Sequence, residues 1–412
     1  MGKRYLWSLG VGIALMVAGI LTMGVIGSPT AVSAEELAIG HINPLTGPAA
    51  PWGANIAKGF EVLADYYNEK GGIKADGKTW QIKMYQEDNK YQGAIGRAAG
   101  EKLVTKDKVK ALIGDFVGDS LLSYRTLANR NKIPMFLGST GIEGKLLGPE
   151  WPYVFQVSQT QLQKMLVLDI AWDTLKKKGV ELKRAASIDP DNSTGRGCSE
   201  VFVKEKAPQF KMEVVGQVFY PGGTQDFSPF CTKILAGKPD IIEMGAAGPG
   251  DQALIRKTLY QMGYRGYSVA AGSLVNASGL IKIAGQDAIQ GHIAPFESME
   301  CPAIKPEQKE IMRIMKARWE KKWPDAVFEP IGWRYASLLQ ILVQAYEKGG
   351  TLNPDVLAKT LVQGQFDTIL GDCKFTGLKT FGVAHCADLI TIAGIVEGTE
   401  VKYLGYAKLA HE

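Results

Sequence analysis

Residues Glu36–Asn68 read ELAIGHINPLTGPAAPWGANIAKGFEVLADYYN, and this stretch decides the fold. Leu37, Ile39 and Ile42 begin it with the alternation of a β-strand. A loop follows, Asn43-Pro44-Leu45-Thr46-Gly47-Pro48, in which the two prolines block both strand and helix. From Trp52-Gly53 onward, Ile56, Phe60, Leu63, Ala64 and Tyr67 share one face of a helix that Lys70-Gly71-Gly72 ends. Strand, Gly/Pro loop and helix form the opening unit of an open α/β sheet, where ligands sit beyond the carboxyl ends of the strands. Trp52, at the mouth of the first such loop, is placed either to touch a small molecule or to pack on its own helix.

Working outward, the same rhythm continues. Trp80–Asn89, Val109–Phe116 and Ile133–Leu137 read as strands, separated by helical stretches at Gln92–Lys106 and Leu121–Arg130. A second lobe is expected to begin after Trp151–Val157. Its strands are Arg184–Ile188, Met212–Phe219, Ile241–Met244 and Tyr267–Ala271, with Asp189–Gly197 and Gly245–Gly250 as exit loops. Gly291–Phe296 is a further strand, Gln308–Trp323 and Gly332–Lys348 are long helices, and Asp367–Phe375 and Ala387–Ile395 resemble antiparallel strands around Gly377. These last segments are too few for a third domain and are expected to complete the two lobes.

Composition agrees with a globular chain of one large or two ordinary domains: 412 residues, 46% hydrophobic and 22% charged. The net charge of +5 is spread along the chain, with no basic run of the kind that binds nucleic acid. Residues 1–34 read as an export signal. Lys3-Arg4 precede an uncharged run from Tyr5 to Ile26, and Ala31-Val32-Ser33-Ala34 supplies small residues for cleavage. The run is also long enough to stay as a membrane anchor. Of the five cysteines, Cys198, Cys231, Cys301, Cys373 and Cys386, an odd count leaves at least one thiol free outside the cytoplasm, and Cys373–Cys386 is the expected bridge across a hairpin. The four histidines and the cysteines show no metal-ligand spacing.

Four polar, Gly-rich segments fall at expected strand ends: Gly118-Asp119-Ser120, Ser139-Thr140-Gly141, Thr194-Gly195-Arg196-Gly197 and Gly272-Ser273. The first two precede helices. Unpaired N–H groups at a helix start, with hydroxyls beside them, suit a carboxylate, although the same residues also cap ordinary helices. Two such segments in adjacent loops on one side of a sheet point to a binding rim. No nucleophile elbow, metalloprotease helix, phosphate loop or dinucleotide fingerprint is present, so no enzymatic class is indicated. Asp189 and Asp191, separated by a proline, read as a turn more than as a catalytic or calcium pair.

These residues together resemble the type I periplasmic binding proteins of the leucine/isoleucine/valine-binding family, which serve ABC importers. The likeness rests on Pro44-Leu45-Thr46-Gly47-Pro48, Trp52-Gly53 and Asn68-Glu69-Lys70-Gly71-Gly72-Ile73, then Glu87-Asp88, Ile133-Pro134, Asp226-Phe227 and Lys238-Pro239-Asp240 in order. It implies two Rossmann-like α/β lobes joined by three crossovers. One lobe takes 35–157 plus about 295–365, and the other takes 158–294 plus about 366–412. It sets Trp52 against the ligand. It puts Gly118, Asp119 and Ser120, with Ser139, Thr140 and Gly141, around a ligand carboxylate. Thr194 stands where amino-acid binders often carry Tyr, and Ser273 near their acidic partner for the ligand ammonium. The Pro330–Trp333 segment falls near a further contact. Gly118 and Ser273 depart from the amino-acid pattern, which opens the site to a carboxylate, amide or aromatic acid.

The function so implied is that of an exported, monomeric substrate-binding protein without metal or cofactor. It takes an amino acid or related small carboxylate or amide to a membrane permease. A ligand-sensing module for a chemoreceptor or kinase is the alternative reading, and an exported hydrolase a weaker one.

Overall fold

The computed structural model describes residues 35–47, 49–138, 141–271, 277–296, 298–326 and 330–412. The expected export signal lies outside them. Six strands open the chain: β1 (Glu35–Asn43), β2 (Ile73–Ala75), β3 (Lys78–Asp88), β4 (Ala111–Gly114), β5 (Met135–Leu137) and β6 (Val154–Gln156). Five more build a second sheet: β7 (Arg184–Pro190), β8 (Glu213–Tyr220), β9 (Ile241–Glu243), β10 (Tyr267–Val269) and β11 (His292–Pro295). The chain then returns to the first sheet with β12 (Gln365–Thr368), β13 (Gly371–Thr376) and β14 (Cys386–Ala387). It ends in the second with β15 (Ile390–Glu397) and β16 (Glu400–Lys408). Strand order is β12-β13-β14-β6-β5-β4-β1-β3-β2 in one sheet and β16-β15-β11-β10-β9-β7-β8 in the other.

The central strands pair in parallel and are nearly all buried, as sheets covered by helices on both faces require. On one face of the first sheet, Leu37, Ile39, Ile113, Phe136 and Phe155 pack against two helices, Ala50–Glu69 and Pro330–Gly349. Those helices approach so closely that a Cβ on Gly59 would lie 2.4 Å from the carbonyl oxygen of Gly332. The second lobe has cores on both faces of its sheet, one around Met165, Leu168 and Phe202 and one around Tyr220, Phe227 and Ile234.

Three passages link the sheets, between β6 and β7, β11 and β12, and β14 and β15. Glutamine amides hold the first passage to the third. Gln159 Nε2 donates to the Ile390 carbonyl and to Thr391 Oγ1 (2.9 Å), and Gln163 Nε2 donates to the Ala387 (3.0 Å) and Leu409 (2.9 Å) carbonyls.

Two expectations change here. Residues 366–412 do not all join the second lobe: Phe366, Cys373 and Phe375 bury their side chains in the first lobe's core, which draws β12–β14 into that sheet. The Cys373–Cys386 bridge is not formed, and all five thiols are free and buried. β13 and β14 pair antiparallel with Thr376 opposite Cys386, so Cys373 stands three residues along. At about 3.3 Å per residue that offset is roughly 10 Å, beyond the reach of a disulfide.

Candidate functional site

In the first sheet β1 lies between β3 and β4, and in the second β7 lies between β8 and β9. At such switch points neighbouring exit loops run to opposite faces and leave a crevice. The candidate residues follow from this. Trp52 comes after β1, Tyr91 after β3, Phe116 and Gly118 after β4, Gly141 after β5, Asn192–Gly197 after β7, and Gly245–Gly248 after β9.

Trp52 is half-buried at the start of its helix. Its ring stands edge-on to Phe116, centroids 5.6 Å apart at 82°, and its buried indole N–H has no partner. From the other lobe, a Cβ on Gly248 would reach within 4.0 Å of Trp52 Cη2. Gly118 begins the helix Gly118–Arg130, whose first-turn N–H groups and dipole favour an anion. Asp119 is exposed, and its Oδ1 accepts a hydrogen bond from Ser193 Oγ of the second lobe at 3.2 Å. Ser120 differs from its neighbours: its buried hydroxyl donates to Asp115 Oδ2 at 2.7 Å and so is turned into its own lobe, away from the crevice.

Gly141 lies where the backbones of the two lobes approach closely. Its φ is +80°, its N–H donates to Glu143 Oε1 at 3.0 Å, and a Cβ on Gly197 would lie 2.1 Å from its carbonyl oxygen. Thr194 is half-buried, in the first turn of a helix (Ser193–Val201) and not in an open loop. Asn192 starts that helix, its Oδ1 accepting the Gly195 N–H at 2.8 Å. The structure thus sets Trp52, Gly118, Asp119 and Gly141 against the second lobe's Gly248, Ser193 and Gly197, and Thr194 follows Ser193 in the same helix turn. Ser139, Thr140 and Ser273 lie outside the described residues. Trp333, in the helix Pro330–Gly349, is buried in the first lobe's core.

Several residues of the crevice were not singled out from the sequence: Tyr91, Phe116, Asn192, Ser193 and Gly248. Phe116 carried a usable signal as an aromatic just past the apolar strand Ala111–Gly114. Asn192, three residues before Gly195 at the end of a strand, carried the signature of a helix cap.

Below the crevice in the second lobe, Asp189 and Glu243 form a buried acidic pair. Asp189 Oδ1 accepts from Ala246 N (2.9 Å) and its Oδ2 from Ser187 Oγ (3.0 Å), while Glu243 Oε1 accepts from Gly245 N (2.6 Å). Burial raises both carboxyls, Asp189 to about 6 and Glu243 well above the ordinary carboxylate range, because two adjacent charges without solvent cannot both persist. Asp191 is instead exposed and paired with Arg196 at 2.7 Å, so the Asp189/Asp191 turn is no catalytic pair. Among the described residues no cluster of His, Cys, Asp and Glu is arranged to hold a metal.

The raised pair has a consequence with a definite sign. The folded protein keeps a proton that the unfolded chain releases near pH 4, so this contribution to stability is complete below about pH 4 and fades as pH rises through 6. Glu243→Gln keeps the acceptor for Gly245 N and offers Asp189 a permanent donor. It is expected to flatten the fall in melting temperature between pH 5 and pH 8 and to raise that temperature at pH 8 by roughly 2–4 °C. Parallel thermal melts of both proteins at the two pH values decide it, and identical profiles would refute it.

Among the described residues no helix is long and apolar enough to cross a membrane. A family model described as periplasmic binding protein matches residues 36–395. Leu/Ile/Val-binding protein homolog 1 of Brucella suis biovar 1 is 25% identical, over 82% of this chain and 86% of its own length. Among solved structures, a leucine binding protein from Thermotoga maritima superposes with a TM-score of 0.73 at 21% identity, covering 90% of this chain and 98% of that one. A solute binding protein from R. palustris, solved with 4-hydroxybenzoate, gives 0.71 at 18% identity, covering 91% and 97%. The two structural matches carry the fold, that of type I periplasmic binding proteins. With the matched region running from β1 into β15, the chain belongs to the periplasmic binding protein family, whose members bind solutes and do not transform them.

Proposed function

We propose that this protein acts outside the cytoplasmic membrane as the substrate-binding component of an ABC importer, taking a small carboxylate- or amide-bearing solute between its lobes. The carrying observation is the facing of Trp52, Phe116 and the Gly118–Arg130 helix start in one lobe by Ser193, Gly197 and Gly248 in the other. A solute between them gains contacts from both sides only when the lobes close, so it shifts the population to the closed form, which the permease reads.

The helix start supplies N–H groups for an anionic or amide oxygen, and the indole N–H of Trp52 is a further donor. Cationic groups are less well served. Of the acidic side chains described above, Asp119 at the rim is engaged by Ser193, and exposed Asp191 in the β7 exit loop is paired with Arg196. Asp189 and Glu243 are sealed beneath the loop of Gly245 and Ala246. This favours a solute whose carboxylate stands without an α-ammonium. The bound 4-hydroxybenzoate of the R. palustris protein and the branched-chain name of the Brucella relative mark the two classes to compare. Residues 1–34 then direct export, and the mature chain works as a monomer.

A thermal-shift screen of amino acids, aliphatic and aromatic acids and amides tests this, since a bound solute raises the melting temperature by mass action. The strongest stabiliser is expected to carry a carboxylate or amide, and Trp52→Ala to weaken it ten- to a hundredfold by removing an aromatic wall worth about 1.5–3 kcal/mol. A best ligand with neither group, or full affinity in the variant, overturns the assignment.

A further inference from the structure

The turn between β3 and the next helix holds two consecutive non-glycine residues in the left-handed region, Lys90 at φ +50° and Tyr91 at φ +62°. A bulky aromatic there is a conformational outlier that costs on the order of 1 kcal/mol or more, and such strain persists only where its surroundings enforce it. The enforcement is visible. Asp88 Oδ1 accepts the Lys90 N–H (2.8 Å) and Asn89 Oδ1 the Tyr91 N–H (3.0 Å), while Asn89 Nδ2 donates to buried Asp115 (3.0 Å). The result aims the Tyr91 ring toward Phe116, centroids 6.2 Å apart, and its hydroxyl out of the first lobe. There Asn192 Nδ2 of the second lobe donates to Tyr91 Oη at 3.5 Å. One residue on, Ser193 Oγ donates to Asp119 of the first lobe. Burial pushes the phenol up to about 12, so it stays protonated and can both donate and accept.

We propose that Tyr91 and Asn192 form a latch between the lobes, as positioning residues that set how long the cleft stays shut, while the adjoining Asp119 and Ser193 mark where the lobes meet. The strained turn is maintained to present the Tyr91 hydroxyl at the point where the second lobe arrives. This rests on the reading of the protein as a binder that closes, and extends it by assigning side chains to the closed state itself.

The test needs no solute. In the double variant Asp119→Cys/Ser193→Cys, mild thiol oxidation of the full-length protein can join the two positions only when the lobes meet, and peptide mass after proteolysis reads the crosslink. Its rate measures the closed population. Adding Tyr91→Phe, which keeps the ring and deletes the hydroxyl, is expected to slow crosslinking about three- to tenfold with the melting temperature of the unoxidised protein unchanged. Adding Asn192→Asp instead is expected to leave the rate within twofold, because the carboxylate still caps Gly195 N and accepts from the phenol. A purely structural role for Tyr91 would lower the melting temperature and leave the rate alone, and that result overturns the latch. A crosslink that forms equally well with Tyr91→Phe removes the latch but leaves a closing cleft. A crosslink that never forms removes both.

Discussion

Replacing Gly197 by alanine is expected to lower affinity for the solute at least a hundredfold, about 3 kcal/mol or more, without destabilising the protein. The two effects separate because the position has different neighbours in the two states. Within its own helix, Ser193–Val201, Gly197 is a liability, and alanine there gains about 0.5–1 kcal/mol of helix stability. Against the other lobe the added Cβ would stand 2.1 Å from the Gly141 carbonyl oxygen, an overlap of more than 1 Å between a methyl group and backbone that has no rotamer to yield. The lobes must therefore stop short, and contacts that need both of them are lost. Titration calorimetry with the strongest stabiliser from the screen, beside thermal melts of the free protein, measures both halves. Affinity within threefold of the parent would show that Gly141 and Gly197 do not meet in the bound form.

The second large effect concerns folding. Gly59→Val is expected to cost about 3 kcal/mol, and to lower the melting temperature by roughly 6–12 °C. Gly59 lies where the helix Ala50–Glu69 crosses the helix Pro330–Gly349, and a Cβ there would be 2.4 Å from the Gly332 carbonyl oxygen and 3.0 Å from its Cα. Both obstacles are backbone, so the helices must move apart. Phe60 and Leu63 on one helix and Leu339 and Leu342 on the other are fully buried in the same core, and separation loosens all of them. Differential scanning calorimetry decides this, and a shift of less than 2 °C would mean the crossing can open freely.

Much of this architecture was legible in the sequence because buried parallel strands are short apolar runs and their helices carry one apolar face. Leu37–Ile42 and Ile56–Tyr67 show both patterns, and the Gly/Pro loop between them located Trp52 at the crevice. Sheet membership late in the chain was not legible. β12 and β13 alternate apolar and polar residues while β15 is a buried apolar run, yet neither pattern names a sheet, and packing of Phe366 and Phe375 in the first lobe's core sends the first group there. β16 escaped notice because Glu400–Lys408 is an edge strand with charges at three of nine positions and no fully buried side chain. At the site, helix starts betrayed Gly118 and Asp119. Ser120 shares their signal, yet its hydroxyl satisfies a buried aspartate one strand away, a tertiary partner invisible locally. Tyr91 was hidden for a related reason. Nothing in Asn-Lys-Tyr announces two left-handed residues, since the hydrogen bonds that impose them come from side chains folded back onto the turn.

The five buried, unpaired thiols offer something a disulfide would have taken away. Cys301 and Cys373 sit in the core under the long helices, Cys386 on the opposite face of the same sheet, and Cys231 in the other lobe's core around Tyr220 and Phe227. Shielded sulfur reacts with an alkylating reagent only when its surroundings come apart. Mass spectrometry of pulse-labelled protein therefore gives each half of the molecule its own unfolding clock, with no engineered probe.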